Sequence, residues 1–103
     1  MYISVQPSHV DVLEPTDYRR FDLQADAGLS AVDIGARLLR ERLGDVEDGH
    51  AWIRIDPLRT RLASTSDFDA DQFSAMVAYA VEHGWVSPDG EAIRAHIRFG
   101  DQH

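Results

Sequence analysis

The stretch DADQFSAMVAYAVEHGWVSPDGEAIRAHIRF, residues 69–99, decides the fold, because helix start, apolar spacing, helix end and turn chemistry agree along it. Asp69 is an N-cap residue whose carboxylate can accept hydrogen bonds from the free N–H groups of the first turn. Gln72, three residues later, completes the pattern of a capping box. Gly84 suits the left-handed position just beyond a helix end. The stretch therefore predicts a helix that ends near His83.

The apolar side chains of this helix lie on one side. They recur at the spacing of a single buried stripe: Phe73, Met76, Val77, Ala80 and Val81. Phe68 and Phe73 also stand at the two positions of a hydrophobic staple. Because a helix of about fifteen residues is marginal alone in water, we expect this one to pack on a sheet.

The residues that follow predict a tight turn and a strand. The sequence Ser87-Pro88-Asp89-Gly90 suits a type I turn that closes on a left-handed glycine. Residues 92–99 then alternate strictly, with Ile93, Ala95, Ile97 and Phe99 on one side and Arg94, His96 and Arg98 on the other. This alternation predicts a half-buried strand.

The first part of the chain predicts three short strands. Residues 1–5 alternate weakly, which suits an edge strand, and residues 10–13 predict a second strand. Residues 17–24 alternate with a period of two, so we expect a third strand that turns Phe21 and Leu23 toward the core.

A first helix is predicted after these strands. Ser30 and Asp33 form a cap of the S-x-x-D type, and Gly44 is the predicted stop. The predicted apolar face comprises Ile34, Leu38, Leu39 and Leu43, together with Ala31 and Val32. Three arginines fall in the last turns, Arg37, Arg40 and Arg42. We interpret them as complements of the helix dipole, in preference to an anion site.

A second clear strand is predicted over residues 50–56, after a short acidic loop at 45–49. Its inward face is Ala51, Ile53 and Ile55, and its outward face is His50, Trp52, Arg54 and Asp56. Pro57 is the predicted end of the strand. Residues 58–65 suit either a return strand or an irregular crossing.

These elements predict one α+β domain over residues 1–103. The order of strands and helices suits a two-layer sandwich, with two helices packed on one face of a mainly antiparallel sheet. A ferredoxin-like topology is one such arrangement.

Composition limits the function classes. The formal charge of −8 opposes nucleic-acid binding, which needs a basic surface. No apolar run approaches a membrane span, and no leader segment is visible, so we expect a cytoplasmic protein without a membrane partner. With no cysteine, disulfides and thiolate metal sites are excluded.

No cofactor or metal site is predicted. The run Asp67, Asp69 and Asp71 suggests a calcium loop, but Gln72 and Ala78 stand where an EF-hand needs glycine and glutamate. The cap role already explains Asp69. We therefore expect neither a metal nor a cofactor.

The candidate site is the sheet face that the helices leave uncovered. It would carry Trp52, Arg54, Arg94 and Arg98, and an indole on a solvated face is unusual enough to suggest a contact surface. Packing of the indole on arginine stems is the competing explanation. We favour a non-catalytic interaction module whose partner is a second copy or another protein.

An enzyme or anionic-ligand domain remains the alternative. His50, His96 and Asp56 would supply general acid and base groups, while the neighbouring arginines would hold a small anionic ligand. A concave pocket in which these side chains converge would favour the ligand hypothesis, and a flat patch centred on apolar atoms would favour association.

Overall fold

The computed structural model describes residues 1–99, whose strands form one mixed sheet that curls into a half-barrel. Its six strands are β1 (Tyr2–Val5), β2 (Val10–Leu13), β3 (Asp22–Ala25), β4 (Gly44–Glu47), β5 (His50–Arg54) and β6 (Ala92–Phe99). The three helices of this region are α1 (Ala31–Arg40), α2 (Ile55–Ala63) and α3 (Ala70–Glu82). The last four residues of the predicted 1–103 domain lie outside the described residues.

The predicted two-layer sandwich is wrong. The strand order is β2-β1-β3-β6-β5-β4, in which β3 runs parallel to both of its neighbours and the remaining pairs are antiparallel. The sheet is curled and mixed, and three helices accompany it where two were predicted. The coarser assignment to the α+β class is correct.

One cluster of apolar side chains forms the core. Strand residues Ile3, Leu23, Ile53 and Ile93 are buried in it together with side chains from all three helices, such as Leu38, Leu58 and Phe73. Burying large apolar side chains in this way stabilises each by about 1.5–3 kcal/mol before chain entropy is counted. The core therefore explains why these short helices form.

Alternation along β5 agrees with the prediction as far as Arg54. Ala51 and Ile53 are fully buried, Trp52 is half-buried and Arg54 is exposed. On β6 the alternation holds from Ile93 to His96: Ile93 and Ala95 are buried, whereas Arg94 is half-buried and His96 is exposed. We call the side that carries Trp52, Arg54, Arg94, His96 and Arg98 the outer face.

The predicted ends of α3 are confirmed. The Asp69 carboxylate accepts a hydrogen bond from the backbone N–H of Gln72 at 3.1 Å. Gly84 has a φ of 74°, and the N–H groups of Gly84 and Trp85 donate to the carbonyls of Val81 and Ala80 in a Schellman arrangement. The staple is present too, with the rings of its two phenylalanines 5.9 Å apart.

One bond of the predicted α3 capping box is replaced. The backbone N–H of Asp69 donates to the Tyr18 hydroxyl at 3.0 Å, and the Gln72 amide donates to the Asp69 carboxylate. Tyr18 thereby ties the chain before β3 to the start of α3.

Helix α1 begins as predicted and ends earlier. Ser30 and Asp33 make both bonds of the capping box. The helix ends before Gly44, because Arg42 takes the left-handed position with a φ of 58° and Leu43 donates back to the helix. The predicted apolar face is too broad, because Val32 and Leu39 are 81 % and 65 % exposed and Ala31 is exposed as well.

The predicted acidic loop at 45–49 is wrong, because residues 44–47 form β4, paired with β5. Asp48 and Gly49 make the turn between the two strands, both with positive φ, as a type I′ hairpin turn requires. Gly44 has a φ of 155° and lies against the backbone of Trp52, so an added Cβ would overlap the Trp52 carbonyl oxygen. Glycine is required there.

The predicted strand over 50–56 is too long, because β5 ends at Arg54. Residues 58–65 form neither a return strand nor an irregular crossing, since most of them belong to α2. Helix α2 begins at Ile55, so Pro57 lies in its first turn, where proline is tolerated. Asp56 is accordingly on a helix and pairs with Arg59 at 3.4 Å.

Two N-terminal predictions need correction. β1 is an interior strand between β2 and β3, and β3 begins only at Asp22.

Among the described helices, none combines the length and the apolar character needed to cross a bilayer.

Candidate functional site

A row of three side chains crosses the outer face at Trp52. In the register of the sheet, Asp45 on β4 lies opposite Trp52 on β5, and Trp52 lies opposite Arg94 on β6. The indole is therefore flanked by an acid on one side and a base on the other. In the next row, Glu47 lies opposite His50, and His50 lies opposite His96.

Trp52 also borders a groove of about 620 Å³, here called the Trp52 groove. Its apolar lining comprises Leu39 from the end of α1, Pro57 from α2, Pro88 from the turn before β6, and Trp52 itself. The Gly44 backbone lies directly beside the Trp52 backbone and also lines this groove. The groove therefore joins the outer face to the ends of two helices.

Charges of both signs surround the Trp52 groove. The basic members are Arg42 and Arg54, and the acidic members are Asp45, Glu47 and Asp89. The Ser87 hydroxyl and the Glu91 N–H donate to the Asp89 carboxylate, and these bonds hold the pKa of Asp89 below its usual range. Arg54 contacts Glu91 at 3.6 Å, an exposed pair of little energetic weight.

The structure brings together only part of the predicted catalytic group. His50 and His96 lie directly opposite one another on neighbouring strands. Asp56 is absent from that face because it belongs to α2. Of the described residues, those that line either groove include neither histidine.

Arg98, the remaining predicted binding residue, is held by Asp22. The Asp22 carboxylate lies 3.6 Å from the Arg98 Nε and 3.7 Å from an Arg20 nitrogen, and its side chain is only 13 % exposed. Its Oδ1 is buried and has no hydrogen-bond partner among residues 1–99. Arg98 therefore belongs to a local network with an acid at its centre.

A second groove, which was not predicted, lies along the edge of β6 that faces β3, away from β5. β3 pairs with only the last four residues of β6, whereas Val86 bridges Ile93 near the start of that strand. Between the chain before β3 and the Trp85–Val86 segment the sheet opens, leaving a groove of about 470 Å³. We call it the Trp85 groove.

The walls of the Trp85 groove are aromatic. Tyr18 and Phe21 line one side, and Tyr79 and Trp85 line the other. The Trp85 ring lies 5.9 Å from Tyr79 and 4.7 Å from His83, so the three rings form a cluster at the end of α3. Both walls are anchored, because the Tyr18 hydroxyl accepts from the Asp69 backbone N–H and the Trp85 backbone carbonyl accepts from the Arg94 backbone N–H at 2.8 Å.

Among the described residues, the charged side chains that line the Trp85 groove are all arginines: Arg19, Arg20 and Arg94. The sequence signal for this site is the run Tyr18-Arg19-Arg20-Phe21, in which two aromatic residues flank two arginines. Its significance depends on the pairing of strands that are distant in sequence, which local patterns do not reveal.

Within residues 1–99, no group of three or more acidic or histidine side chains is positioned to hold a metal ion. Comparisons with protein-family models, with curated proteins and with solved structures found no match to this chain. The function must therefore be argued from the two grooves and the outer face.

Proposed function

We propose that the protein is a non-catalytic interaction module that forms a homodimer through the outer face around Trp52. The observation that carries this proposal is the row Asp45, Trp52 and Arg94, in which a half-buried indole lies between opposite charges. Tryptophan and arginine are the residue types that most often dominate contact energies.

The charge pattern favours a second copy as the partner. A two-fold axis parallel to β5 and passing above Trp52 would lay β4 of one protomer over β6 of the other. Asp45 would then face the partner's Arg94, and Trp52 would face the same residue of the partner. The next row would bring Glu47 toward the partner's His96. A contact of this kind is self-complementary, as two-fold symmetry requires.

The groove beside Trp52 adds to this argument. Its apolar floor and mixed charges resemble the centre and rim of a protein contact more closely than a site for a ligand of one charge. The enzyme alternative has less support, since His50 and His96 lie outside both grooves among the described residues and Asp56 lies elsewhere. A cytoplasmic location is part of this proposal, and cell fractionation would test it.

Exchange of the two charges tests the proposed dimer. Sedimentation equilibrium should find a dimer for the wild type, and Asp45→Arg or Arg94→Asp alone should shift it toward monomer by opposing like charges. The double variant should recover the dimer, because opposite charges face each other again.

A matched control is Arg40→Asp, which reverses an exposed arginine of α1 and should leave the dimer intact. A monomeric wild type, or a double variant that is no better than the single ones, would overturn the proposal. Loss of the dimer in Val32→Glu alone would identify the exposed side of α1 as the contact, since Val32 is 81 % exposed there.

A further inference from the structure

The lining of the Trp85 groove concentrates positive charge in an acidic protein. Three of the ten basic residues of the chain line it, whereas no acidic residue within residues 1–99 does. At physiological salt the Debye length is about 8 Å, so acidic groups farther away than this act only weakly on a ligand in the groove. The groove is therefore suited to an anion despite the overall charge of −8.

Two of these arginines have no ion-pair partner in the part of the chain that the structure describes. Arg19 and Arg94 make no pair within 4 Å there, and Arg20 reaches only the shared Asp22 carboxylate at 3.7 Å. A guanidinium group presents donors in a planar fork that matches a carboxylate or a phosphate. An anion on Arg19 therefore displaces no ion pair within residues 1–99, and on Arg20 it competes only with the 3.7 Å contact to Asp22.

The rest of the lining suits a flat apolar body. Aromatic rings stand on both sides, and Met76, Ala80 and Ile93 lie between them as the floor. Aromatic faces attract other rings by offset stacking. The volume of about 470 Å³ falls within the range of small-molecule sites and is too small for a folded partner.

We propose that the Trp85 groove binds a small planar aromatic anion, with its ring between Tyr18 and Trp85 and its carboxylate or phosphate on Arg19 and Arg20. The anchored walls reduce the ordering cost of binding, since both are already fixed by hydrogen bonds. This binding activity is additional to the proposed dimer and does not depend on it.

The indole N–H resonances of a ¹⁵N-labelled sample give a direct test, because the chain has two tryptophans. Trp52→Phe leaves Trp85 as the reporter. The probes are 2-naphthoate, 2-naphthyl phosphate, the neutral 2-naphthamide and inorganic phosphate. We expect both aromatic anions to shift the Trp85 resonance saturably, with a dissociation constant on the order of 1 mM for ligands of this size.

The neutral 2-naphthamide and inorganic phosphate separate the contribution of the negative charge from that of the aromatic ring. The neutral amide and inorganic phosphate should each bind at least tenfold more weakly, since each lacks either the charge or the ring. The stronger of the two aromatic anions identifies the acid group that the site prefers.

Arginine variants complete the test. Arg19→Ala combined with Arg20→Ala should weaken the naphthoate affinity at least tenfold, while Arg40→Ala, an exposed arginine of α1, should leave it unchanged. Three results would overturn the proposal: no saturable shift with either anion at about 10 mM, equal binding of the neutral amide, or unchanged affinity in the Arg19 and Arg20 variant.

Discussion

The two grooves of this protein are similar in size, and each contains one tryptophan, yet their charges differ. The Trp52 groove has acids and bases interspersed around an apolar centre, whereas the charged residues that line the Trp85 groove within residues 1–99 are all arginines. Mixed charges match a surface that carries the same mixture, such as a second copy, and charges of one sign match a small ligand of the opposite sign. The difference shows that tryptophan alone does not define a kind of site.

The grooves also arise from different features of the backbone. The Trp52 groove lies at the open end of the β4–β5 hairpin, away from its turn, where the Gly44 backbone contacts the Trp52 backbone. The Trp85 groove exists because β3 covers only half of β6 and leaves an opening that α3 closes from one side. The Trp52 groove depends on the close approach of β4 and β5, and the Trp85 groove depends on the separation of β3 from the first half of β6.

The largest expected effect belongs to Gly44→Ala. The added methyl group would overlap the Trp52 carbonyl oxygen, so β4 must shift, and we expect a loss of about 2–3 kcal/mol in the free energy of unfolding. Urea denaturation measures this loss. Gly35→Ala is the matched control, because its Cβ would make only ordinary contacts and should raise helix stability by up to about 1 kcal/mol. Equal stability of the Gly44→Ala variant and the wild type would contradict the proposed close approach.

Replacing each tryptophan separately should affect only one groove. Trp52→Ala should raise the dissociation constant of the dimer about thirtyfold, the effect of losing about 2 kcal/mol at a central contact. Trp85→Ala should leave that constant within about twofold, because Trp85 lies outside the proposed contact. Sedimentation equilibrium measures both. A dimer weakened equally by the two substitutions would remove the distinction between the grooves.

Arg42→Gly should change stability and association in opposite directions. Arg42 occupies a left-handed conformation that costs a non-glycine residue about 1 kcal/mol, so glycine should stabilise the fold by up to that amount. The same change removes a charge from the Trp52 groove and should weaken the dimer a few-fold. Thermal unfolding and sedimentation would show the two effects. A stabilised variant with unchanged dimerisation would exclude Arg42 from the contact.

The smallest expected effect is on the loss of stability at low pH. The Gln72 side-chain amide and backbone N–H lower the pKa of Asp69 below its ordinary value of 3.8. A carboxylate with a lowered pKa adds stability above pH 3.8, and this contribution is lost as the pH falls through the lowered value. Asp69→Asn keeps a good cap without this titration. We expect the variant to lose less stability than the wild type between pH 5 and pH 2.5 in urea denaturation, and an equal loss would contradict the assignment.

Elements whose signals lie close together in the sequence were predictable. Helix α3 has its cap, staple and glycine stop within one short segment, and all three are present in the structure. The same is true of the Ser30 cap and the turn that ends at Gly90, whose N–H donates to Ser87.

Two local signals were misinterpreted. Pro57 was taken as the end of a strand, although proline is equally compatible with the first turn of a helix, and α2 was missed as a result. Asp48-Gly49 is a hairpin signal, and weighing it would have predicted β4.

The remaining features could not be predicted from local pattern. The parallel pairing of β3 with β1 and β6 joins distant parts of the chain, and the Trp85 groove follows from where that pairing stops. Alternation correctly predicted the side on which Trp52 lies, but not the groove beside it, because Leu39 and Pro88 come from elements far away in sequence.

The central claim is that the two tryptophans serve separate contacts. ¹⁹F NMR of protein labelled with 5-fluorotryptophan observes both indoles in one spectrum, with Trp52→Phe to assign them. The account predicts that dilution shifts only the Trp52 resonance and that 2-naphthoate shifts only the Trp85 resonance. Resonances that respond together to both treatments, or a Trp52 resonance that is indifferent to dilution, would contradict it.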